Sequence, residues 1–447
     1  MFCSYRVGEG SVLFHRPPQD RVALVIQLQQ LRQQQVEFAA LPVTVRAALL
    51  ADLAERLAQH RDELARMVCE EVGRCLRECE AELDKSIDLI RYYAKLAPEL
   101  LAHKTIATQA RLSQVRFEPL GLVLAVMPWN YPVWQVLRFA VPALCAGNAC
   151  LVKPAPSVAR VTARLFELVS DTLPFQVAWL ENADVLYAIE QTDAMAFTGS
   201  ADTGRLLAAH AGAHIKKTVL ELGGSNALIV LPDADLAQAA KEACYSRFRD
   251  AGQSCNAAKR IIVTDEIAEP FIRLFIEECM RLKMGDPMQP ETTLAPLHRR
   301  DLRAKIDAQV QDALAHGAEC LLGGVLPDTD GWFYPATVLD KVNPDCRVYH
   351  EETFGPVAAI LRARNGEDAI RLANDTSFGL GASIYSDNEA LAWQYATGLH
   401  TGAVFINRHT SSDLRLPFGG VKASGYGREL SEFGLYEFVN VKTYWQK

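Results

Sequence analysis

The chain has 447 residues, of which 49% are hydrophobic and 22% charged, and its formal net charge is −8. This length allows two or three domains with a large core, and the acidic balance argues against a surface for nucleic acid or anionic membrane. The N-terminus lacks the basic and apolar regions of a signal peptide, and the 11 cysteines form no paired framework. We therefore expect a cytoplasmic protein with no nucleic-acid or membrane partner.

Two amphipathic helices are predicted near the N-terminus, over residues 42–67 and residues 80–101. In both segments apolar residues recur at helical intervals, with charged residues between them. Residues 27–35 are rich in Gln and Leu and could form another helix, whereas residues 1–20 show no clear period. We expect the two amphipathic helices to pack against the rest of the chain and to carry no chemistry.

From residue 114 onward the pattern changes to short apolar strands that alternate with helices. Further helices are predicted at residues 269–282 and 300–315. This alternation is typical of a mostly parallel sheet covered on both faces. The predicted strands are residues 115–117, 123–126, 149–152, 194–197, 218–221, 227–230, 261–263, 358–361 and 402–406.

Cys255 lies in Gly252-Gln253-Ser254-Cys255, where no bulky neighbour shields its sulfur. Only the thiolate is nucleophilic, so a reactive cysteine needs local positive potential. Free cysteines are often buried and inert, so this residue stands out only through the motifs around it. A cysteine protease would use the thiol differently, but no nearby histidine accompanies Cys255.

Six motifs occur in one order along the chain, and together they are far more specific than any one of them. In this order and spacing they resemble the aldehyde dehydrogenase family, from about residue 45 to the C-terminus. The motifs are Met127-Pro128-Trp129-Asn130-Tyr131-Pro132, Phe197-Thr198-Gly199-Ser200, Glu221-Leu222-Gly223-Gly224, Gly252-Gln253-Ser254-Cys255, Glu352-Thr353-Phe354-Gly355-Pro356 and Pro417-Phe418-Gly419-Gly420.

The resemblance implies an α/β fold of the aldehyde dehydrogenase type. A Rossmann-type NAD(P)-binding domain is expected over residues 1–100 and 120–226, followed by an α/β catalytic domain over residues 227–429. Residues 101–119 and 430–447 are expected to form a small β oligomerisation arm. Residues 437–445 alternate like an exposed strand, and a flat edge left unpaired is an aggregation liability. We therefore expect a homodimer or homotetramer.

The resemblance also implies the catalytic residues. Aldehyde oxidation removes a hydride from a carbon without a leaving group, so a nucleophile adds first and makes a thiohemiacetal and then a thioester. Cys255 is the expected nucleophile, and Asn130 with the Cys255 backbone N–H donates to the oxyanion. Glu221 is the expected base for the deacylating water, although an isolated glutamate is more often a structural carboxylate. No metal is expected.

The expected cofactor is NAD or NADP. Ser200 follows an apolar strand and can cap the next helix, whose free amides favour phosphate; an ordinary capped turn is the alternative. Many NAD-preferring relatives carry Glu where this chain has Pro156, so repulsion of a 2′-phosphate is absent and NADP is plausible. By resemblance the cofactor-binding residues are Trp129, Lys153, Gly199, Ser200, Gly204, Glu352 and Phe354.

Arg138 and Arg249 match positions where succinate-semialdehyde dehydrogenases hold the distal carboxylate of the substrate, and Ser411 or Ser412 could add a hydroxyl. Guanidinium groups bind carboxylates through paired, charge-assisted hydrogen bonds. The alternative is that both arginines pair with local acids; Asp250, for example, could occupy Arg249. The expected activity is oxidation of succinate semialdehyde to succinate.

Other functions stay open at this point. Trp134 and Phe139 would suit a bulkier substrate, so a general aliphatic or aromatic aldehyde dehydrogenase is the second candidate. An inactive structural family member would normally lack Cys255 or Asn130, and an enzyme that passes the acyl group to coenzyme A tends to lack Glu221. Both are therefore less favoured.

Overall fold

The computed structural model describes residues 1–447. Its helices are α1 (Arg21–Ala40), α2 (Val43–Gln59), α3 (Arg61–Val72), α4 (Leu76–Leu100), α5 (Trp134–Cys145), α6 (Ala159–Glu167), α7 (Asn182–Gln191), α8 (Ala201–Ala213), α9 (Leu236–Phe248), α10 (Ala268–Cys279), α11 (Arg300–Ala315), α12 (Arg347–His350), α13 (Gly366–Asn374), α14 (Glu389–Ala396) and α15 (Ser431–Tyr436). None of these helices is both long and apolar enough to cross a membrane.

The strands form four sheets. They are β1 (Phe2–Tyr5), β2 (Val12–Arg16), β3 (Lys104–Thr105), β4 (Leu112–Pro119), β5 (Leu122–Val126), β6 (Ala149–Lys153), β7 (Phe175–Val177), β8 (Ala194–Thr198), β9 (Lys217–Glu221), β10 (Asn226–Val230), β11 (Ala258–Thr264), β12 (Glu319–Leu322), β13 (Thr337–Asp340), β14 (Val357–Ala363), β15 (Gly381–Tyr385), β16 (Ala403–Ile406), β17 (Gly425–Tyr426) and β18 (Val439–Gln446).

The first large sheet has the strand order β17-β9-β8-β5-β6-β7. All neighbours are parallel except β17, which pairs antiparallel with β9. Alternate residues of β5 face two different cores: Val123 and Ala125 pack with α2 to α5, and Leu122 and Leu124 pack with α1, α7 and α8. Burial on both faces explains why this strand is apolar throughout.

The second large sheet has the order β12-β13-β14-β11-β10-β15-β16 and is parallel except for β12. The predicted parallel α/β architecture is therefore confirmed, and all of the predicted strands except residues 115–117 and 437–445 lie in these two sheets. The chain passes from one sheet to the other between β9 and β10. The domain boundaries stay a prediction, and residues 425–426 join the first sheet although we expected residues 227–429 in the catalytic domain.

A small antiparallel sheet of order β18-β4-β3 contains the C-terminal strand. Val439 to Gln446 pairs along Pro119 to Leu112 without a break. The outer edge of β18 has no partner strand in the chain. The strand expected at residues 437–445 is present, and it presents a free edge.

One prediction about the N-terminal region was wrong, and one element there gave no signal in the sequence. Residues 42–67 form two helices, because His60 leaves the helical conformation (φ −109°, ψ 13°) and its side chain meets Glu63 (Nδ1–Oε2 2.9 Å). Residues 1–20, which show no clear period, contain the hairpin β1–β2, with Phe2 buried against Trp179. Few residues of this short hairpin are buried, so too few positions alternate between apolar and polar residues to give a signal in the sequence.

The carboxyl ends of β5, β6, β8 and β9 meet at one edge of the first sheet. Parallel α/β sheets bind ligands at this edge. Trp129 and Asn130 follow β5, Lys153 ends β6, Gly199 follows β8 and Glu221 ends β9. The topology thus brings residues from three of the six motifs to one place, together with Lys153.

Candidate active site

The loop that presents Cys255 has an unusual backbone. Asp250 and Ala251 have φ of 55° and 52°, and Gly252 has φ of 73°. A side chain on Gly252 would overlap the carbonyl oxygen of Gly355 and the guanidinium of Arg247, so only glycine fits there. The buried Arg247 donates to the carbonyl oxygens of Gly252 and Gly355, each at 2.8 Å, and joins this loop to the Glu-Thr-Phe-Gly-Pro motif.

Lys259 holds the backbone carbonyl groups of both Ser254 and Cys255. Its Nζ donates to the carbonyl oxygens of Ser254 (2.8 Å) and Cys255 (2.6 Å) and lies 3.1 Å from Glu352 Oε1. The same Oε1 accepts the Gly224 N–H at 3.0 Å. Sequence reasoning missed this lysine, which ties three of the predicted motifs together.

The thiol of Cys255 is half-buried and favours its protonated form. Burial raises its pKa to about 11, although the positive charges of Lys259 and Arg138 act in the opposite direction and Glu221 adds to the rise. At neutral pH the thiolate is therefore a minor species. The sequence predicted the nucleophile but not this protonation state.

Asn130 lies against the nucleophile loop. Its Nδ2 donates to the carbonyl oxygen of Gln253 at 3.0 Å, and its Oδ1 accepts from Gln135 Nε2 at 3.3 Å. Two hydrogen bonds fix the orientation of the amide, and the second Nδ2 hydrogen makes no bond within the protein. This arrangement supports the predicted role as an oxyanion donor, because a preoriented N–H needs no reorganisation during reaction.

Glu221 is buried at the end of β9, and neither carboxylate oxygen has a hydrogen-bond partner. Burial raises its pKa well above the usual value; Glu429 adds to this, and Arg138 and Arg428 oppose it. This shift favours the protonated carboxyl group at rest. Glu221 does not line the cavity that reaches Cys255, so its side chain must reorient and lose its proton to act there as a base.

A cavity of about 640 Å³ opens beside Cys255. Trp134 and Phe418 form part of its apolar wall, and Arg138 and Arg249 bring positive charge to it. Four of the residues predicted for catalysis or substrate binding, Cys255, Arg138, Arg249 and Ser412, therefore share one cavity. Its size suits a small ligand.

Both predicted clamp arginines already have acidic partners. Arg138 Nη2 lies 2.6 Å from Glu429 Oε2, and Arg249 Nε lies 3.2 Å from Asp250 Oδ2. Local pairing was the alternative considered from the sequence, and for Arg249 the partner is the expected aspartate. Neither guanidinium is saturated, since the buried Nε of Arg138 has no hydrogen-bond partner.

Ser412, and not Ser411, lines the cavity with Cys255. Ser411 lines a neighbouring pocket on the other side of Phe418. Ser412 is bound by Lys85, whose Nζ donates to Oγ at 2.5 Å and to the carbonyl oxygen at 2.8 Å. Lys85 belongs to α4, which was expected to carry no chemistry, and nothing in its local sequence marks it.

Arg74 is a second residue that sequence reasoning missed. Its buried guanidinium pairs with Asp250 (Nε–Oδ1 2.6 Å) and with Glu82, and donates to the carbonyl oxygen of Asn130 at 3.3 Å. Glu82 in turn accepts the backbone N–H groups at the start of α5 at 2.9–3.0 Å. This buried network holds the Asn130 turn and the nucleophile loop in one position.

The predicted phosphate and adenosine residues lie along the carboxyl edge of the first sheet. Ser200 caps α8 by accepting the Thr203 N–H at 3.4 Å. The other amides of the first turn have no intrahelical acceptors, because they begin the helix. A Cβ on Gly204 would overlap Leu222, so glycine permits close packing of the helix on the sheet. The buried Lys153 donates only a long bond, 3.4 Å, to Asn182.

The predicted nicotinamide-side residues lie between that edge and Cys255. Trp129 stacks on His298 with ring centroids 4.2 Å apart and meets Phe354 edge-on at 5.8 Å. Burial lowers the pKa of His298 to about 3, so the stacked ring is neutral. A Cβ on Gly223 would collide with Glu352, so glycine at this position lets that carboxylate lie close to the backbone. Amide donors, a cation and a carboxylate along one edge fit a dinucleotide.

A profile of the aldehyde dehydrogenase family matches residues 9–444. The chain belongs to this family. The succinate semialdehyde dehydrogenase (NAD(P)+) of Escherichia coli strain K12 is 43% identical over 410 residues, which cover 90% of this chain and 89% of that protein. A probable succinate-semialdehyde dehydrogenase (NADP+) of Synechocystis is 44% identical over 414 residues, 91% of each chain.

Solved aldehyde dehydrogenase structures share the whole fold. The succinic semialdehyde dehydrogenase from Streptococcus pyogenes, crystallised in complex with NADP+, matches with a TM-score of 0.95 at 34% identity and covers 99% of both chains. The family and the fold predicted from the six motifs are thereby confirmed, as is the likeness to succinate-semialdehyde dehydrogenases predicted from the positions of Arg138 and Arg249. The assignments of individual site residues stay predictions.

Proposed function

We propose that this aldehyde dehydrogenase oxidises succinate semialdehyde to succinate with NAD or NADP. The observation that carries the proposal is the cavity beside Cys255, which also holds Arg138, Arg249 and Ser412. A four-carbon substrate with its carboxylate at the basic side would present its aldehyde carbon toward the sulfur. The names of the relatives at 43–44% identity support the same substrate.

In the proposed reaction, the Cys255 thiolate adds to the aldehyde carbon, and the oxyanion formed is stabilised by Asn130 Nδ2 and the Cys255 N–H. NAD or NADP, when bound, supplies the acceptor for the hydride. Glu221, once ionised and turned toward the thioester, removes a proton from the attacking water. Trp129, Lys153, Gly199, Ser200, Gly204, Glu352 and Phe354 are proposed to hold the cofactor.

In the proposed carboxylate clamp, the substrate would bind to guanidinium groups that already pair with local acids. Arg138 and Arg249 keep free N–H groups, so the substrate can bind without displacing Glu429 or Asp250. Charge-assisted hydrogen bonds contribute about 1.5–3 kcal/mol each. The clamp should therefore separate charged from neutral aldehydes of equal length.

The first prediction compares succinate semialdehyde with butanal, which has the same number of carbons but no carboxylate. We expect kcat/KM for succinate semialdehyde to be higher by about 10- to 100-fold, as 1.5–3 kcal/mol implies. Initial rates of reduced-cofactor formation, each measured with NAD and with NADP, check this. Equal values for the two aldehydes would contradict the proposed substrate.

A general aromatic or aliphatic aldehyde dehydrogenase is the second candidate. Trp134 and Phe418 in the cavity favour it, as do the acids already paired with both arginines. Phe139, expected beside the substrate, is instead buried in the core. In the same assay, a kcat/KM for benzaldehyde above that for succinate semialdehyde would favour this candidate.

We further propose that NADP is accepted as well as NAD, because Pro156 offers no carboxylate to repel a 2′-phosphate. The free edge of β18 supports a homodimer or homotetramer formed through residues 101–119 and 430–447. A cytoplasmic location stays the expectation from the sequence.

A further inference from the structure

Lys85 reaches the cavity from α4 and is held in place by two groups. Its Nζ donates to Ser412 Oγ and to the Ser412 carbonyl oxygen, and lies 4.6 Å from the centroid of the Trp134 ring. These contacts direct the ammonium group to the wall that also presents Arg138 and Arg249. The position of the Lys85 ammonium group is therefore fixed by the protein, which distinguishes this residue from a solvated surface lysine.

Lys85 is the only partly buried cation of the cavity without an acidic partner. Arg138 pairs with Glu429, and Arg249 pairs with Asp250. The remaining unpaired cations, Arg77 and Lys241, are exposed and solvated. A partly buried ammonium group without a counter-ion is unfavourable, and an anionic ligand would remove that cost.

The electrostatic surroundings agree with an anion site. Burial and the positive charges of Arg249 and Arg138 together lower the pKa of Lys85 to about 8, and Asp413 acts in the opposite direction. On α4 itself, Glu82 lies one turn away but pairs with Arg74. Two cations and one acid thus face this lysine, and the negative charge of a bound carboxylate would offset the excess positive charge.

We propose that Lys85, seated on Ser412, binds the distal carboxylate of the substrate as a third cation and selects aldehydes that carry one. This inference rests on the proposed function and extends it from two arginines to a residue on another helix. Because Arg138 and Arg249 are shared with local acids, Lys85 supplies the one positive charge that only the substrate neutralises.

The proposal makes the substrate preference depend on pH. A lysine whose pKa is lowered to about 8 is charged below that pH and neutral above it. The preference for a carboxylated aldehyde should therefore be full at about pH 7 and fall as pH rises through 8. Taking the ratio of kcat/KM for succinate semialdehyde to that for butanal cancels the titration of Cys255 and Glu221, because both substrates need the same chemistry.

The experiment measures this ratio from about pH 6.5 to 9.5 for the full-length enzyme and for Lys85→Met, Lys85→Arg and Lys241→Met. In the wild type we expect the ratio to fall about tenfold or more across this range. Lys85→Met should have a low ratio at every pH, and Lys85→Arg a ratio that no longer changes with pH. Lys241→Met, which removes an exposed cation of the same cavity, should follow the wild type.

The outcomes separate the two proposals. A wild type without preference at about pH 7 would reject the proposed substrate and this inference together. A clear wild-type preference whose ratio is flat with pH would reject the role of Lys85 alone. A ratio in Lys85→Met as high as in the wild type would reject it as well. The wild-type profile needs no variant, so the proposal can be overturned even if Lys85→Met fails to fold.

Discussion

At the level of residues, the proposed chemistry depends on proton positions that the sequence does not show. Burial raises the pKa of Cys255 to about 11, and burial beside Glu429 raises the pKa of Glu221 well above its usual value. Burial thus favours the protonated form of both groups that the mechanism needs as anions. Residue types and motifs predict which groups react, whereas burial and neighbouring charges decide when they can.

The raised pKa of Cys255 predicts slow alkylation at neutral pH. Only the thiolate reacts, so the rate constant for iodoacetamide should rise about tenfold per pH unit and level off only near pH 11. Mass-spectrometric mapping of the Cys255 peptide over time measures this rate. The fully buried Cys150 serves as a control that should stay unlabelled. A rate already at its plateau at about pH 7 would show a thiolate at rest and contradict this description.

Lys85, Lys259 and Arg74 are the residues that motif reasoning could not find. Each is a common residue type without a distinctive local pattern, and each contacts at least one residue far away in sequence. Arg74 and Asp250, for example, are separated by 176 positions. Contacts of this kind depend on the packing of the whole chain, whereas Cys255 and Asn130 lie inside recognisable motifs.

At the level of elements, periodicity predicted ten of the 18 strands, β18 included, and a minority of the 15 helices. The apolar strands β5, β6, β8 and β10 are buried on all sides, which gives the continuous apolar runs seen in the sequence. The break at His60 could not be predicted, because the apolar period continues across it. The hairpin β1–β2 was missed because only Phe2 and Ser4, both on its first strand, are fully buried.

Helix α4 shows how an element can have two roles. Its apolar face, including Leu83, Ile87 and Ile90, packs in the core as predicted. Its other side brings Glu82 to the start of α5 and Lys85 to the cavity. An amphipathic pattern predicts the buried face well, but it does not distinguish solvated charges from charges that line a site.

At the level of the whole molecule, two parallel sheets bring their loops together around Cys255, and a third sheet carries a free edge. On β18, Val441 and Trp445 are 59% and 53% exposed, and their side chains lie on one face of the sheet. An exposed edge with apolar side chains is a liability unless another chain covers it. This is the physical argument for an oligomer.

We expect the variant Val441→Lys/Trp445→Lys to shift the protein toward monomer, because like charges would meet across a strand-to-strand interface. Size-exclusion chromatography with light scattering measures the mass, and circular dichroism checks the fold. Val325→Lys, at another exposed apolar position, is the matched control and should keep the wild-type mass. A wild type that is monomeric, or a double variant of unchanged mass, would speak against an interface on β18.

The most direct test of the account follows covalent catalysis by Cys255 in the variant Glu221→Gln. Mixed rapidly with succinate semialdehyde and NADP, this variant should release about one reduced cofactor per active site and then turn over slowly. Mass spectrometry should place the trapped acyl group on the Cys255 peptide, and Cys255→Ala should give neither burst nor adduct. Steady turnover of Glu221→Gln at the wild-type rate, or an acyl group on another residue, would contradict the account.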